Sequence, residues 1–519
     1  MRKAFAWACV ALSGSCRADC VEDDCLATSQ DAGASWVQMK ISKLENSKAT
    51  PGTDEFGNFY SKRGGDLLGS NAISWDMPQD FSNPAWTWNN ELDEQVRHSP
   101  LIDSKKNIYV TGTLRLRKFS PEGKLLWLFS QDEPGHTSPV LGDGLVYFRV
   151  GCGDGHSRIY ALDMETGKVV INKTVAGFDY GPDSPSLLLT KNRLFVPASA
   201  RSLSAGGCDS VLAMNASTGD LLWTYTADDV MWNMAPTTPD GGDSITFSSS
   251  CGIFHRISAA DGQLMVKSAD KIGIAGVCGT GGGTAGPNGL FYAAHGSFPD
   301  GQPVSFMPPD LDMFITAYNM TTGEIAWRVP LEKPYEAPQS PAVGYLYEGG
   351  PLAVVAAIGQ NTGMPPLIID EGEMAGYLAS ADVRRQLNIT GLKNSVIALD
   401  AATGAGIWRW DEADWDHLGA AGDEEGFPRR ALLGSIENPV CLPDNQGIPL
   451  INTKAGVVIA SSSHNGNMTL IRDTNKNGII EDGETTAFAP GIAFLNSPSS
   501  APDMLVASPC WGPMYVFRQ

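Results

Sequence analysis

Residues Ala398 to Trp410 read ALDAATGAGIWRW, and this stretch decides the fold. An apolar run ends at Asp400, a glycine follows at position 404, and a tryptophan follows at position 408. A short acidic side chain can bond the backbone of a turn. Gly404 supplies the positive φ of a tight hairpin with a bulge. Trp408 then opens the return strand.

The frame recurs along the chain. Leu116 to Phe129 reads LRKFSPEGKLLWLF and Ile159 to Thr174 reads IYALDMETGKVVINKT. Val211 to Thr226 reads VLAMNASTGDLLWTYT and Phe254 to Ala269 reads FHRISAADGQLMVKSA. Ile315 to Pro330 reads ITAYNMTTGEIAWRVP. The turns open at Asp163, Asn215, Ser258, Asn319 and Asp400, and their glycines stand at 167, 219, 262, 323 and 404. Gly123 closes a turn one residue shorter. Four residues beyond each glycine stand Trp127, Ile171, Trp223, Val266, Trp327 and Trp408. A flat aromatic at a fixed place suits packing between neighbouring sheets.

Upstream of each hairpin lies a further apolar strand, as in LVYFRVGCG and LFYAAHG. The glycines are spaced by 44, 52, 43, 61 and 81 residues. Units of about four strands at roughly 40–50 residues mark a β-propeller. A seventh hairpin, Met468 to Phe488, is modified. The last segment, Met504 to Gln519, stops short of a full unit, and the early strand around Trp86 and Trp88 has no local partner. Joining the two removes exposed edges. The expectation is an all-β chain of eight four-stranded antiparallel blades closed by strands from both termini, with seven blades as the alternative.

The signature from Ala398 to Trp410 resembles the pyrroloquinoline quinone (PQQ) repeat. That family holds quinoprotein alcohol dehydrogenases and non-enzymatic outer-membrane assembly propellers. The resemblance runs from about Trp86 to Gln519. It implies the fold and leaves the function open, because the tryptophan and turn residues only lock blades together.

Composition narrows the rest. The chain has 519 residues, with 57 glycines and 33 prolines, and 58 acidic side chains face 37 basic ones for a net charge of −21. Such a surface repels phosphate backbones, which excludes nucleic acid as a partner. No apolar run is long enough for a transmembrane helix. Residues 1–18 read as a secretory signal peptide: Arg2 and Lys3, an apolar stretch from Ala4 to Leu12, then small residues before a cut after Ala18. Ser13 stands where a lipoprotein signal would carry leucine, which gives lipidation at Cys16 little support. Residues 19–69 read as a flexible polar leader, and 70–519 as the propeller. A secreted or secretory-lumen location follows.

Eight cysteines remain after the signal peptide is cut, an even set that suggests disulfides. Cys251 with Cys278 and Cys152 with Cys208 are the guessed pairs. No C-x-x-C pair for a zinc ribbon or c-type haem occurs. Sequons at Asn172, Asn215, Asn319, Asn388 and Asn467 fit glycosylation; Asn215 and Asn319 are also expected for turn geometry alone. An insertion near 360–393 carries a helical spacing at Met374, Leu378, Val383 and Leu387. Residues 418–430 form an acidic loop.

Asp473 to Glu484 fits a twelve-residue calcium loop. Asp473, Asn475 and Asn477 offer side-chain oxygens, Ile479 a backbone carbonyl, Glu481 a water-mediated contact and Glu484 a bidentate carboxylate, with Gly478 at the bend. Its flanks are strands, so the ion is expected to be structural. No catalytic residue emerges. The vicinal cysteine pair of the PQQ dehydrogenases is missing, and no cofactor ligand maps onto this chain. Asp154, His156, Asp416 and His417 read as solvent-exposed turn residues. The run from Gly279 to Gly283 lacks a phosphate-loop lysine and reads as a flexible turn. The leading expectation is a secreted, non-catalytic propeller, stabilised by calcium, that binds a protein or carbohydrate partner on one face. The alternative is a PQQ- and calcium-dependent oxidoreductase acting on alcohols or sugars. A third is hydrolysis or lyase chemistry on a polysaccharide.

Overall fold

The structure is a computed structural model. It describes residues 53–91, 94–96, 98–132, 137–151, 156–178, 186–199, 208–268, 281–297, 312–333, 335–337, 339–360, 391–417, 420–422 and 447–519. Among these residues there is no helix. The strands form eight separate sheets in chain order, an eight-bladed β-propeller. The signal peptide, the expected helix within 360–393 and the sequon at Asn388 lie outside the described residues.

Blade 6 shows how one unit is built. Ala342–Tyr345, Leu352–Gly359, Asn394–Asp400 and Gly406–Asp411 pair antiparallel in that order. The two middle strands are buried along nearly their whole length, because each face meets a neighbouring blade. That is why VIALD is continuously apolar up to its last residue. The outer strand is only intermittently buried, and Trp408 is its anchor. The turn forms as its residues require: Ala402 and Thr403 donate backbone N–H groups to Asp400 Oδ1, and Gly404 has φ +75°. The register slips by one between Ala398 and Leu399, the bulge that the glycine permits. Asn215 and Asn319 cap their turns in the same way.

Blades 1, 2, 3 and 5 repeat this order. Blade 4 has three strands, and its innermost ladder is reduced to one bridge between Thr237 and Thr246. Blade 7 is framed by Met468–Ile471 and Thr485–Phe488, with the calcium-type loop between them. Blade 8 takes three strands from the C-terminus, and its outermost strand is Trp86–Trp88, paired antiparallel with Met514–Arg518. The partnerless early strand is therefore the one that closes the ring.

The indoles sit between blades as the spacing required. Trp127 donates from Nε1 to Met164 O in blade 2, Trp223 to Ala259 O in blade 4, and Trp86 to Pro121 O in blade 1. Each ring covers the turn glycine of the next blade. A Cβ on Gly167 would stand 2.8 Å from Trp127, and one on Gly123 would stand 2.7 Å from Trp86. Where the indole is replaced, Ile171 covers Gly219 and Val266 covers Gly323. The core is thus a series of inter-blade layers, such as the cluster joining Trp327 and Ile315 of blade 5 to Val354 and Leu399 of blade 6.

Of the guessed disulfide residues, Cys208 and Cys251 are buried, while Cys152 and Cys278 lie outside the described residues. Cys510 is a buried free thiol whose sulfur accepts from Gln95 Nε2, so the even set is not fully bridged.

Candidate functional site

The inner strand of each blade has one paired edge and one edge facing the axis. Those axial edges are occupied by the chain itself. Tyr60 exchanges backbone hydrogen bonds with Ile102 of blade 1. Ser61 O accepts from Leu141 of blade 2, and Phe56 packs into the core shared by blades 2 and 3. Leu67 O accepts from Thr238 of blade 4, Leu68 O from Ala285 of blade 5 and Ser70 O from Val343 of blade 6. Ala72–Ile73 pairs parallel with Ile451 and Asn452 of blade 7. Trp75 Nε1 donates to Ser500 Oγ of blade 8 at 3.0 Å. Residues 54–76 therefore trace the inside of the ring, blade by blade.

The expectation of a flexible leader reaching residue 69 is corrected by this arrangement. The segment is polar because its backbone and side chains satisfy the unpaired strand edges. It lacks hydrophobic periodicity because it moves on to a new blade every few residues from Tyr60 onward. A second repeat signals its docking places. Ser99-Pro100, Ser138-Pro139, Ser340-Pro341 and Ser497-Pro498 each precede an inner strand.

Asn71 is the hub. It is fully buried with φ +48°, and its Nδ2 donates to Ile448 O, Pro449 O and Ser497 Oγ at 3.2, 2.6 and 3.1 Å. Tyr60 OH donates to Asn71 Oδ1 at 2.5 Å. Lys62 is wholly enclosed, and burial pushes its amine down to about 8 against the pull of Asp66. Arg63 reaches across to Gln339 Oε1 of blade 6. Both oxygens of Asp66 are engaged, by Ser70 N at 2.9 Å and Ser70 Oγ at 2.6 Å.

The calcium-type loop folds around its predicted ligands. Gly478 N and Asn477 N donate to the two Asp473 oxygens at 2.9 and 3.1 Å, and Ile479 N donates to Asn477 Oδ1. Asn475 Nδ2 donates to Glu481 Oε2 at 2.9 Å. Glu484 accepts from Thr474 N and Glu481 N, and these backbone N–H groups hold its carboxyl below the usual range. All six candidates are gathered in one exposed loop. The loop leans on the previous blade: a Cβ on Gly478 would stand 2.7 Å from Ile407 O, and Lys476 Nζ lies 3.9 Å from the centre of the Tyr347 ring.

Other candidates do not converge. His156 is half-buried and starts a strand of blade 2 rather than sitting in an exposed turn. Asp154 lies outside the described residues, and Asp416 and His417 are exposed, with His417 against Trp415. Gly279 and Thr280 also lie outside the described residues. Gly283 is not in a flexible turn: Gly283–Ala285 is the inner strand of blade 5, and Gly281 and Gly282 before it are buried against Ala294 O and Ser340 Oγ. The anchors of the two insertions do meet. Leu392 and Trp415 exchange backbone bonds, His464 Nε2 lies 3.1 Å from Gln360 O, and Ala421 N donates to His464 O.

The family model described as outer membrane protein assembly factor BamB matches residues 82–263. Among curated proteins none matches the sequence. The structure is similar to BamB from Moraxella catarrhalis, with 13% identity and a TM-score of 0.52, over 84% of this chain and 99% of that one. It is similar to the quinohemoprotein alcohol dehydrogenase from Comamonas testosteroni, with 11% identity and a TM-score of 0.54, over 89% and 80%. It is also similar to a europium-containing methanol dehydrogenase, with 10% identity and a TM-score of 0.56, over 93% and 100%. No helix of the described residues is long and apolar enough to cross a membrane. The repeated turn, the cross-blade indoles and the ring itself make this chain an eight-bladed β-propeller, of which residues 82–263 match the BamB family model.

Proposed function

We propose that this chain is a non-catalytic binding or assembly propeller that docks a protein partner, is exported from the cell, and is stiffened by calcium in its seventh blade. One observation carries the reading. The axis, where a quinoprotein would lay its cofactor, is filled by residues 54–76 bonded to seven of the eight blades and packed toward the other.

PQQ does not fit the described residues. The quinone needs a central calcium with convergent carboxylates, yet at the axis no three His, Cys, Asp or Glu side chains among the described residues are placed to hold a metal ion. Of the carboxylates carried by this axial segment, Asp66 is engaged by Ser70 and Asp54 by Phe56 and Asn58. The BamB likeness and the convergence of Gln360, Leu392, Trp415 and Ala421 at one place favour a protein partner on that face.

In the experiment that tests this reading, purified protein is incubated with calcium and PQQ, and absorbance and dye reduction are followed with alcohols and aldoses. The expected outcome is neither saturable cofactor binding nor turnover, with a protein recovered by affinity capture. Stoichiometric PQQ binding with turnover would overturn the scaffold reading.

A further inference from the structure

Trp408 departs from the rule that the other cross-blade indoles follow. Trp86, Trp127, Trp223 and Trp327 each donate to the carbonyl one residue past the opening of the next blade's turn. Trp408 holds the same place in blade 6, but in blade 7 the calcium-type loop replaces that turn. The residue is only 7% exposed, and its Nε1 has no hydrogen-bond partner among the described residues. The atom is nevertheless not sealed from solvent, so its proton is open to an acceptor from outside the chain. A buried indole N–H usually finds such a partner.

Space lies beside it. A cleft of about 260 Å³ runs between blades 6 and 7, and Trp408 lines it together with Tyr347, Ile407, Val458 and Ile471. That volume falls just below the span of small-molecule sites, roughly 300–1,000 Å³. The loop adds Lys476 to the wall. Lys476 is exposed and makes no ion pair among the described residues, and its ammonium rests 3.9 Å from the centre of the Tyr347 ring. The loop's other polar groups are turned inward. Asp473 accepts from Asn477 N and Gly478 N, and Asn477 Oδ1 accepts from Ile479 N. The cleft therefore offers apolar walls, one uncommitted N–H donor and one uncommitted cation.

We propose that this cleft binds a small apolar monocarboxylate, an aliphatic or single-ring acid. Its hydrocarbon part packs on Ile407, Val458 and Ile471, and its carboxylate answers the two donors of the wall, Trp408 Nε1 and Lys476 Nζ. Lys476 carries its charge on a flexible four-carbon stem, which lets the ammonium follow the ligand. The bound acid replaces the contact that an indole and a turn make between other blades, and it stabilises the folded ring by mass action. The inference rests neither on the scaffold reading nor on calcium, since every group it uses belongs to the cleft wall.

The full chain is titrated calorimetrically with phenylacetate and with hexanoate, in EDTA and again in calcium, so that the calcium reading can fail without touching this one. Saturable binding is expected in the wild type, with phenylacetamide, which keeps the ring and loses the charge, about tenfold weaker than phenylacetate. Lys476→Gln should erase that tenfold preference. Trp408→Phe should weaken acid and amide alike, since both offer an oxygen to the indole. Should Trp408→Phe fail to fold, wild-type crystals soaked in 4-bromophenylacetate supply the second readout: an anomalous bromine peak between Ile407 and Val458. No saturable binding by the wild type, an acid preference that survives Lys476→Gln, affinity indifferent to Trp408→Phe, or bromine bound only elsewhere would each overturn the proposal.

Discussion

Trp327 of blade 5 donates its indole N–H to the carbonyl of Ala401 in blade 6, at 3.0 Å, while its ring lies over Gly404. One residue thus reads two features of the next blade's turn, a carbonyl outside the strand ladder, which also accepts from Tyr292 OH, and a missing side chain. Gly404 is constrained twice, by φ +75° and by a Cβ position only 2.8 Å from the indole.

Gly404→Ala is therefore expected to destabilise by about 2–5 kcal/mol, combining the left-handed backbone cost with overpacking. Trp327→Ala removes a buried aromatic and should cost about 3–5 kcal/mol. Gly406→Ala is the control. Its φ is not positive and a Cβ would meet nothing, so a gain of roughly 0.5 kcal/mol is expected from a stiffer unfolded chain. Denaturant midpoints of the three variants check the ranking.

The blades were legible because every unit repeats the same local demand. A capped turn, a positive-φ glycine and a covering indole recur at fixed spacing, so six imperfect copies reinforce one another. Trp86 was legible as a strand awaiting a partner. The axial segment was not, because Tyr60, Lys62 and Asn71 answer contacts that lie more than a blade apart, and nothing local in their spelling records them. The calcium-type loop could be picked out as a candidate because its oxygen-bearing residues are contiguous.

Asn71 ties the first part of the chain to the last. Asn71→Ala would strip three carbonyl or hydroxyl partners of a donor, orphan Tyr60 OH, and place alanine at φ +48°. A loss of about 2–4 kcal/mol is expected. Removal of residues 1–52 should leave the propeller folded, whereas removal of residues 1–76 should strip the inner strands of their axial partners and leave a chain prone to aggregate. Limited proteolysis and sedimentation distinguish the two.

His255 gives the fold an acid limit. It is fully buried, shares a hydrogen bond with Tyr225 OH through Nδ1 at 3.0 Å, and stacks on Phe247. Burial lowers its pKa from 6.5 to about 3. Between those values the unfolded chain binds a proton that the folded chain refuses. The contribution to stability is complete above pH 6.5 and falls as the pH drops toward 3, by up to about 1.4 kcal/mol per pH unit from this group. His255→Phe is expected to flatten that part of the profile, read from urea unfolding at a series of pH values.

The seventh-blade loop replaces a hairpin turn that elsewhere is only about three to five residues long. Its Gly478 stands against the Ile407 carbonyl where other blades set a turn glycine against an indole, an isoleucine or a valine side chain, and Lys476 covers Tyr347. Whatever rigidifies Asp473, Asn475, Asn477 and Glu484 therefore also fixes the contact between blades 6 and 7. The oxygens brought together on this loop are the hard ligands that calcium takes. Calcium is expected to raise the unfolding midpoint and chelation to lower it. Asp473→Asn with Glu484→Gln should abolish the response and also lower the calcium-free midpoint, since both oxygens of each carboxylate accept a backbone N–H and an amide keeps only one. Magnesium, which resists losing its waters, should substitute poorly. A midpoint insensitive to calcium in the wild type would show that the loop's own hydrogen bonds, such as Thr474 N to Glu484 Oε1, suffice to hold the blade.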